Sequence, residues 1–286
     1  MPELPEVETV RASLEPLVVG RQIAAVRVVD FPGVVGDDGP DLFAAKTVGR
    51  VVVGARRRGK YLLLDLDDDT ALMIHLRMTG QLVVQPATAP PLRFEHLVIA
   101  LDDGHDIRFA DQRKFGRVVH VDDDGSDYLR DRLGVEPLSP AFTIDRLQAM
   151  LARRPGKVKS VLLNQRLIAG LGNIYVDEAL FRARVHPERA ANSLGRDELA
   201  RLRRAVRAVL TEALARRGTS YQSFRDATGS EGENQANLRV YGRHRDGRCP
   251  RCGGEIERIV VGGRGTHFCP RCQRYPDSAE TRDGSA

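Results

Sequence analysis

Four cysteines fall into two pairs, Cys249-Pro-Arg-Cys252 and Cys269-Pro-Arg-Cys272, with sixteen residues between the pairs. Each CxxC can bend so that both thiolates face one ion, and the spacing suits a tetrahedral four-sulfur zinc site. Four thiolates close the coordination sphere and leave no position for an activated water, so one structural zinc ion is expected. The competing reading is two redox pairs, but neither stands in the strand-to-helix context of thioredoxin-type chemistry. A second group opens the chain: Met1-Pro2-Glu3-Leu4-Pro5-Glu6-Val7-Glu8-Thr9-Val10. Val7, Val10, Leu14 and Leu17 share a helical face, while Pro5, Glu6 and Glu8 make a conventional acidic helix start suited to the dipole. A third group is cationic. Arg56, Arg57, Arg58 and Lys60 crowd one stretch, and eight arginines face three acids between Tyr241 and Pro276.

These groups need elements to hold them. Among 286 residues, 42% are hydrophobic, enough for two domains and a small appended module. No apolar run approaches the length of a bilayer span and no signal-like start is seen, so a soluble, intracellular protein with no membrane partner is expected. The net charge of +5 decides little by itself. Its layout says more, because acidic clusters at Asp67–Asp69, Asp102–Asp103 and Asp122–Asp124 coincide with expected turn tips, away from the basic stretches. Residues 22–121 read as short β-branched strands between Gly, Pro and Asp clusters, which predicts an antiparallel sandwich or barrel-like domain. The strands are expected at 22–30, 48–55, 61–66, 71–76, 80–84, 97–101, 107–109 and 116–121. Val-Glu-Pro-Leu-Ser-Pro then reads as a linker. Beyond it Leu199, Leu202, Val206, Val209, Leu210 and Leu214 recur at helical steps, begun by Asp197-Glu198 and stopped at Gly218. A helical pair flanks Ala169-Gly170-Leu171-Gly172, with Asn173 at the expected N-cap. Residues 219–238 read as a long mobile loop.

Seven collinear segments resemble the bacterial formamidopyrimidine-DNA glycosylase family: MPELPEVETV at 1, RRRGKYL at 56–62, HLRMTG at 75–80, DQRKFG at 111–116, GLGNIYVDE at 170–178, VYGR at 240–243 and the cysteine ribbon. The resemblance implies an α+β fold. An N-terminal catalytic β-sandwich with an N-terminal helix would span 1–134 and a linker 135–141. A helix-two-turn-helix DNA-binding domain would span 142–240 with its lesion loop at 219–238, followed by the four-cysteine zinc ribbon at 241–275 and a disordered tail at 276–286.

It also implies chemistry. In this family the initiator Met is removed and Pro2 becomes a secondary amine; an α-amino group titrates near 8, so an appreciable fraction is nucleophilic at physiological pH. Attack on the anomeric carbon expels the damaged base and leaves an iminium that cannot lose a proton from nitrogen, an electron sink for phosphate elimination. Glu3 resembles the general acid and base, and Glu6 a supporting carboxylate. Lys60 resembles the proton donor for β-elimination. Arg264, set between glycines, resembles the arginine of δ-elimination, with phosphate binding the safer role. Met78, Arg113 and Phe115 match side chains that fill the void when a nucleotide is turned out. Core packing is the ordinary reading of Met78 and Phe115. Arg154 and Asn173 match phosphate contacts.

Phe94 replaces a histidine common in the family, so a DNA contact there is lost or moved to His96, and Asn234 replaces a lesion-loop phenylalanine. The expected activity is therefore excision of oxidised purines with abasic-site nicking, on double-stranded DNA containing oxidised bases or abasic sites. The enzyme is expected to be a cytoplasmic, nucleoid-associated monomer. An endonuclease VIII-like enzyme for oxidised pyrimidines and a non-catalytic damaged-DNA-binding protein are the alternatives.

Overall fold

The computed structural model describes residues 1–123, 125–220, 224–245 and 247–275. The tail at 276–286, lesion-loop residues 221–223 and Asp124 of one expected turn tip lie outside the described residues. The chain divides into two compact units, Met1–Gly134 with Glu212–Ala236, and Val135–Thr211 with the chain from Asn237 onward.

In the first unit, helix α1 (Leu4–Val18) buries Leu4, Val7, Val10, Leu14 and Val18, one face at helical spacing. Eight strands follow: β1 (Ile23–Val28), β2 (Val52–Arg58), β3 (Tyr61–Leu66), β4 (Ala71–His75), β5 (Gln81–Pro86), β6 (Glu95–Leu101), β7 (His105–Ala110) and β8 (Arg117–Val121). They pair into two antiparallel sheets, ordered β1-β6-β7-β5 and β2-β3-β4-β8. Leu62, Leu64 and Leu66 of β3 alternate into one core with Leu97, Ile99 and Phe109 of the other sheet. Each such side chain contributes roughly 1.5–3 kcal/mol by burial. The expected sandwich is therefore present. Strand β2 starts four residues later than expected and includes Arg56, Arg57 and Arg58; the turn is Gly59-Lys60. Cross-strand pairing explains this, because Arg56 makes a two-bond fork with Asp65 of β3 and Arg57 reaches Glu8 of α1 at 3.0 Å. A 3-10 segment (Pro32–Asp38), helix α2 (Gly39–Thr47) and helix α3 (Ser126–Arg130) were not foreseen; Val34, Val35 and Phe43 join the core.

The second unit carries α4 (Ile144–Ala152), α5 (Val158–Leu162), α6 (Asn173–Ala183), most of α7 (Arg196–Ala215), and a hairpin of β9 (Glu257–Val261) and β10 (Arg264–Phe268). Helix α7 ends as its sequence predicts: Gly218 adopts φ +78° and its N–H returns to Ala213 O.

The stretch expected as a lesion loop of the helical domain groups with the first unit over Glu212–Ala236. Its anchors are visible. Ala227 N–H donates to Ser13 Oγ, Val84 N–H donates to Ala227 O, and Phe224 and Ala227 enter the sandwich core. Asp226 organises the segment by accepting from Thr228, Ser230 and Arg217.

Candidate active site and nucleic-acid contacts

In the first unit, Pro2, Glu3, Glu6 and Lys60 are all buried. Glu3 and Glu6 form a reciprocal capping box: Glu6 Oε2 accepts from Glu3 N–H at 2.8 Å, and the Glu3 carboxylate accepts from Glu6 N–H. The other Glu6 oxygen accepts from Thr219 N–H at 2.7 Å, which ties the start of α1 to the residue after Gly218. A Cβ at Gly218 would lie 2.9 Å from that same oxygen, so the close approach and the positive φ both require glycine. Asn234, 3% exposed, donates to Thr219 Oγ1 at 3.0 Å while its Oδ1 has no hydrogen-bond partner among the described residues. The amine at the chain terminus is Met1's. Burial holds it below its ordinary value of 8.0, with Lys60 acting in the same direction and Glu3 and Glu6 opposing. One nitrogen thus lies among two carboxylates and an ammonium, the groups that nucleophilic attack and proton transfer need.

Two turns of this unit display the expected void-filling residues. Met78 is 36% and Phe115 49% exposed, so neither is core, and Arg113 stacks its guanidinium over the Phe115 ring at 4.7 Å. Each turn holds a non-glycine residue in left-handed backbone, Arg77 at φ +53° and Lys114 at φ +56°. That conformation costs about 1–2 kcal/mol per residue. Phe94, in the place of the family's histidine, is exposed with Arg93 over its ring at 4.6 Å. His96, the alternative place for that contact, is turned inward. His96 is 1% exposed, and its ring nitrogens lie within hydrogen-bond distance of Asp30 Oδ1 and Asp111 O.

In the second unit the four sulfurs lie within 4.8 Å of one another, with Cys249–Cys272 at 3.7 Å and Cys252–Cys269 at 3.5 Å. Zinc–sulfur bonds of about 2.3 Å in a tetrahedron place sulfurs about 3.8 Å apart, so this cradle fits one structural zinc ion. Gln273 braces it, accepting from Cys269 N–H and donating to Val185 O, and Arg251 stacks on Phe181 of α6. Arg264 opens β10, exposed, next to the left-handed Gly262 and Gly263. A Cβ at Gly262 would lie 2.5 Å from Ser160 Oγ, so the hairpin tip approaches α5 closely.

Asn173 is the first residue of α6, and the N-cap is Gly172. Its side chain donates to Gly265 O at 2.9 Å, one residue beyond Arg264, because the hairpin comes closer than the helix's own N-terminal turn. The Arg154 guanidinium turns back to Met150 O, satisfying a carbonyl at the end of α4 rather than projecting outward.

Several organising residues were not singled out from the sequence. Lys159 and Asp177, both 0% exposed, form a 2.6 Å ion pair. Lys159 also donates to Gly265 O, and the second Asp177 oxygen accepts from His267 N–H. Glu178 accepts from the N–H groups of Arg239, Val240 and Tyr241. A charged residue inside an otherwise apolar helical run, as in Val158-Lys159-Ser160-Val161-Leu162, was the signal.

Comparison with known proteins accords with this layout. Residues 1–118 match the family described as formamidopyrimidine-DNA glycosylase N-terminal domain, 133–225 its H2TH domain, and 247–274 the zinc finger found in FPG and IleRS. The formamidopyrimidine-DNA glycosylase of Herpetosiphon aurantiacus is 50% identical, the match covering 96% of this chain and all of the relative; that of Roseiflexus is 48% identical over 96% of this chain and all of the relative. Among solved structures, a Lactococcus lactis FPG mutant in complex with Fapy-dG containing DNA aligns with a TM-score of 0.90 at 38% identity. The Lactococcus lactis Fpg complex with abasic-site DNA gives 0.89 at 38%; each alignment covers 96% of this chain and all of the other.

Proposed function

Since the chain belongs to the formamidopyrimidine-DNA glycosylase family, we propose that it is a bifunctional DNA glycosylase and abasic-site lyase of base-excision repair whose nucleophile is Pro2 after loss of Met1. The observation that carries this is the buried cluster of Glu3, Glu6 and Lys60 around the terminal amine. Removal of Met1 converts the Pro2 nitrogen from an amide into a secondary amine in the same surroundings. Burial and Lys60 hold the Met1 amine below its ordinary value, and the same influences on the adjacent Pro2 nitrogen would favour the neutral form with the lone pair needed for attack.

The nitrogen bonds to the anomeric carbon as the carbon–base bond breaks, the proton of the amine passes to the departing base, and Glu3 then protonates the ring oxygen so that its bond to the anomeric carbon opens to the iminium. The resulting iminium has no proton on nitrogen to lose. It draws electrons from the sugar, a proton leaves the adjacent carbon, and the 3′ and then the 5′ phosphate depart; Lys60 serves proton transfer and Arg264 holds a phosphate. Glu6 fixes Glu3 through its backbone and fixes Thr219 at the base of the lesion loop.

Met78, Arg113 and Phe115 enter the duplex when the target nucleotide leaves it. The substrates are double-stranded DNA carrying oxidised purines and abasic sites, bound by a monomer in the bacterial cytoplasm at the nucleoid. The carboxylates and ammonium around the amine support this reading, as does the likeness to chains solved with Fapy-dG and abasic DNA. The test is borohydride trapping. Met-processed protein should form a covalent adduct with 8-oxoguanine duplex, and Pro2→Gly, whose primary amine can lose its proton after condensation, should retain less strand scission than base release. Absence of any adduct from processed protein defeats the proposal. Faster excision of thymine glycol than of 8-oxoguanine would favour an oxidised-pyrimidine enzyme instead.

A further inference from the structure

We propose that Asp111 is a positioning residue that locks the turn carrying Met78 and the turn carrying Arg113 and Phe115 into one rigid element. The inference rests on the reading of those three side chains as void fillers.

Asp111 follows the end of β7 and is 2% exposed, yet its carboxylate serves both turns. Oδ1 accepts from the hydroxyl of Thr79, the residue after Met78, and from Arg113 N–H at 3.1 Å. Oδ2 accepts from Phe115 N–H at 2.8 Å and Gly116 N–H at 2.7 Å. A carboxylate has about four acceptor directions; here all four are filled, one by the first turn and three by the second. The Asp111 carbonyl accepts from Lys114 N–H at 3.1 Å and faces His96 Nε2 at 2.8 Å, which explains why His96 is withdrawn from the surface.

The clamp has something to hold. Arg77 and Lys114, one in each turn, sit in left-handed backbone that side chains with a Cβ rarely adopt unless their surroundings enforce it. Gly116 must be small for the same assembly, since a Cβ there would lie 2.4 Å from the Phe109 ring and 3.2 Å from Asp111 Oδ2. With both turns fixed, Met78, Arg113 and Phe115 are ordered before DNA arrives, and the entropy of ordering them does not fall on the step that turns the nucleotide out.

The decisive comparison sets excision of 8-oxoguanine from duplex against strand scission at an abasic site in a single-stranded oligonucleotide, where no void opens. Asp111→Asn turns an amide NH2 toward backbone N–H donors and should lower duplex excision by about 10- to 100-fold while single-strand scission stays within about threefold. Equal losses on both substrates, or none on the duplex, overturn the proposal. If Asp111→Asn does not fold, Thr79→Val carries the test by cutting the bond between the turns alone: a lower duplex rate with an unchanged Tm supports the clamp, and an unchanged rate overturns it. Met78→Ala and Phe115→Ala separate the two levels. If they leave duplex excision intact, the void-filling reading has failed. If they impair it and the Asp111 and Thr79 variants do not, only the clamp has failed.

Discussion

The two units bury charge in opposite ways. In the first, Glu3 and Glu6 take backbone N–H bonds at a helix start but surround a titratable amine and Lys60, so their charge bears on a group that can react. In the second, Lys159, Asp177 and Glu178 direct their visible bonds to one another and to backbone at Gly265, His267 and residues 239–241, which fixes the hairpin and the chain entering it. Burial alone does not separate a reagent from a strut. The partners do: in the first unit the carboxylates face an amine at the chain terminus, whereas in the second Lys159 and Asp177 neutralise each other and, with Glu178, bind backbone amides and a carbonyl, converting charge into geometry.

Removing the metal should break this contrast most severely. Chelation of zinc should unfold the ribbon and weaken DNA binding by about 100-fold or more, since the metal's binding energy is folding energy in such modules. The antiparallel sheet signal of the first unit should persist in circular dichroism, and its loss with the metal would show that the units are not separately stable. Next in size is Lys159→Met, which strands Asp177 as a buried charge and should cost about 3–5 kcal/mol in denaturant unfolding. Replacing both members of the pair by apolar residues should recover much of that loss. A cost near zero for the single variant would remove Lys159 from the scaffold.

The smallest effect sharpens the other side. Burial and Lys60 both depress the Met1 amine; if the Pro2 amine exposed by its removal meets the same influences, the midpoint of covalent trapping against pH should fall below the ordinary α-amino value of about 8. Removing a cation favours the protonated amine, so Lys60→Met should raise that midpoint, and Glu3→Gln should lower it, each by about half a pH unit. Movement in the reverse sense would mean that these groups do not set the amine's charge.

Much of this was legible in the chain. Apolar strands bounded by aspartate tips, as at Leu62–Leu66 and Ala71–Ile74, carry their own alternation, and α7 announces both ends with Asp197-Glu198 and Gly218. The paired cysteines prescribe a tetrahedron by spacing. Residues 32–47 carry no assigned element because Pro32, Gly33, Gly36, Gly39 and Pro40 hide Val34, Val35 and Phe43, which only tertiary packing turns into core. Arg56–Arg58 read as a turn because their carboxylate partners, Asp65 and Glu8, lie on other elements. Helix α4 carries a usable start, Thr143 capping Arg146 N–H, but it lies against the linker and was not singled out. Asp111 and Asp177 escape notice for one reason: their roles exist only when segments many positions apart are brought together.

The capping box at Glu3 and Glu6 sets a rule for how this polypeptide can be extended. Backbone immediately after Pro2 is pinned by the helix it starts, so on the proposed Pro2 mechanism residues grafted upstream would cap the nucleophilic nitrogen without entering the core of the sandwich. A fusion at the N-terminus should therefore fold yet fail in borohydride trapping, whereas one at the opposite terminus should trap as the unfused protein does.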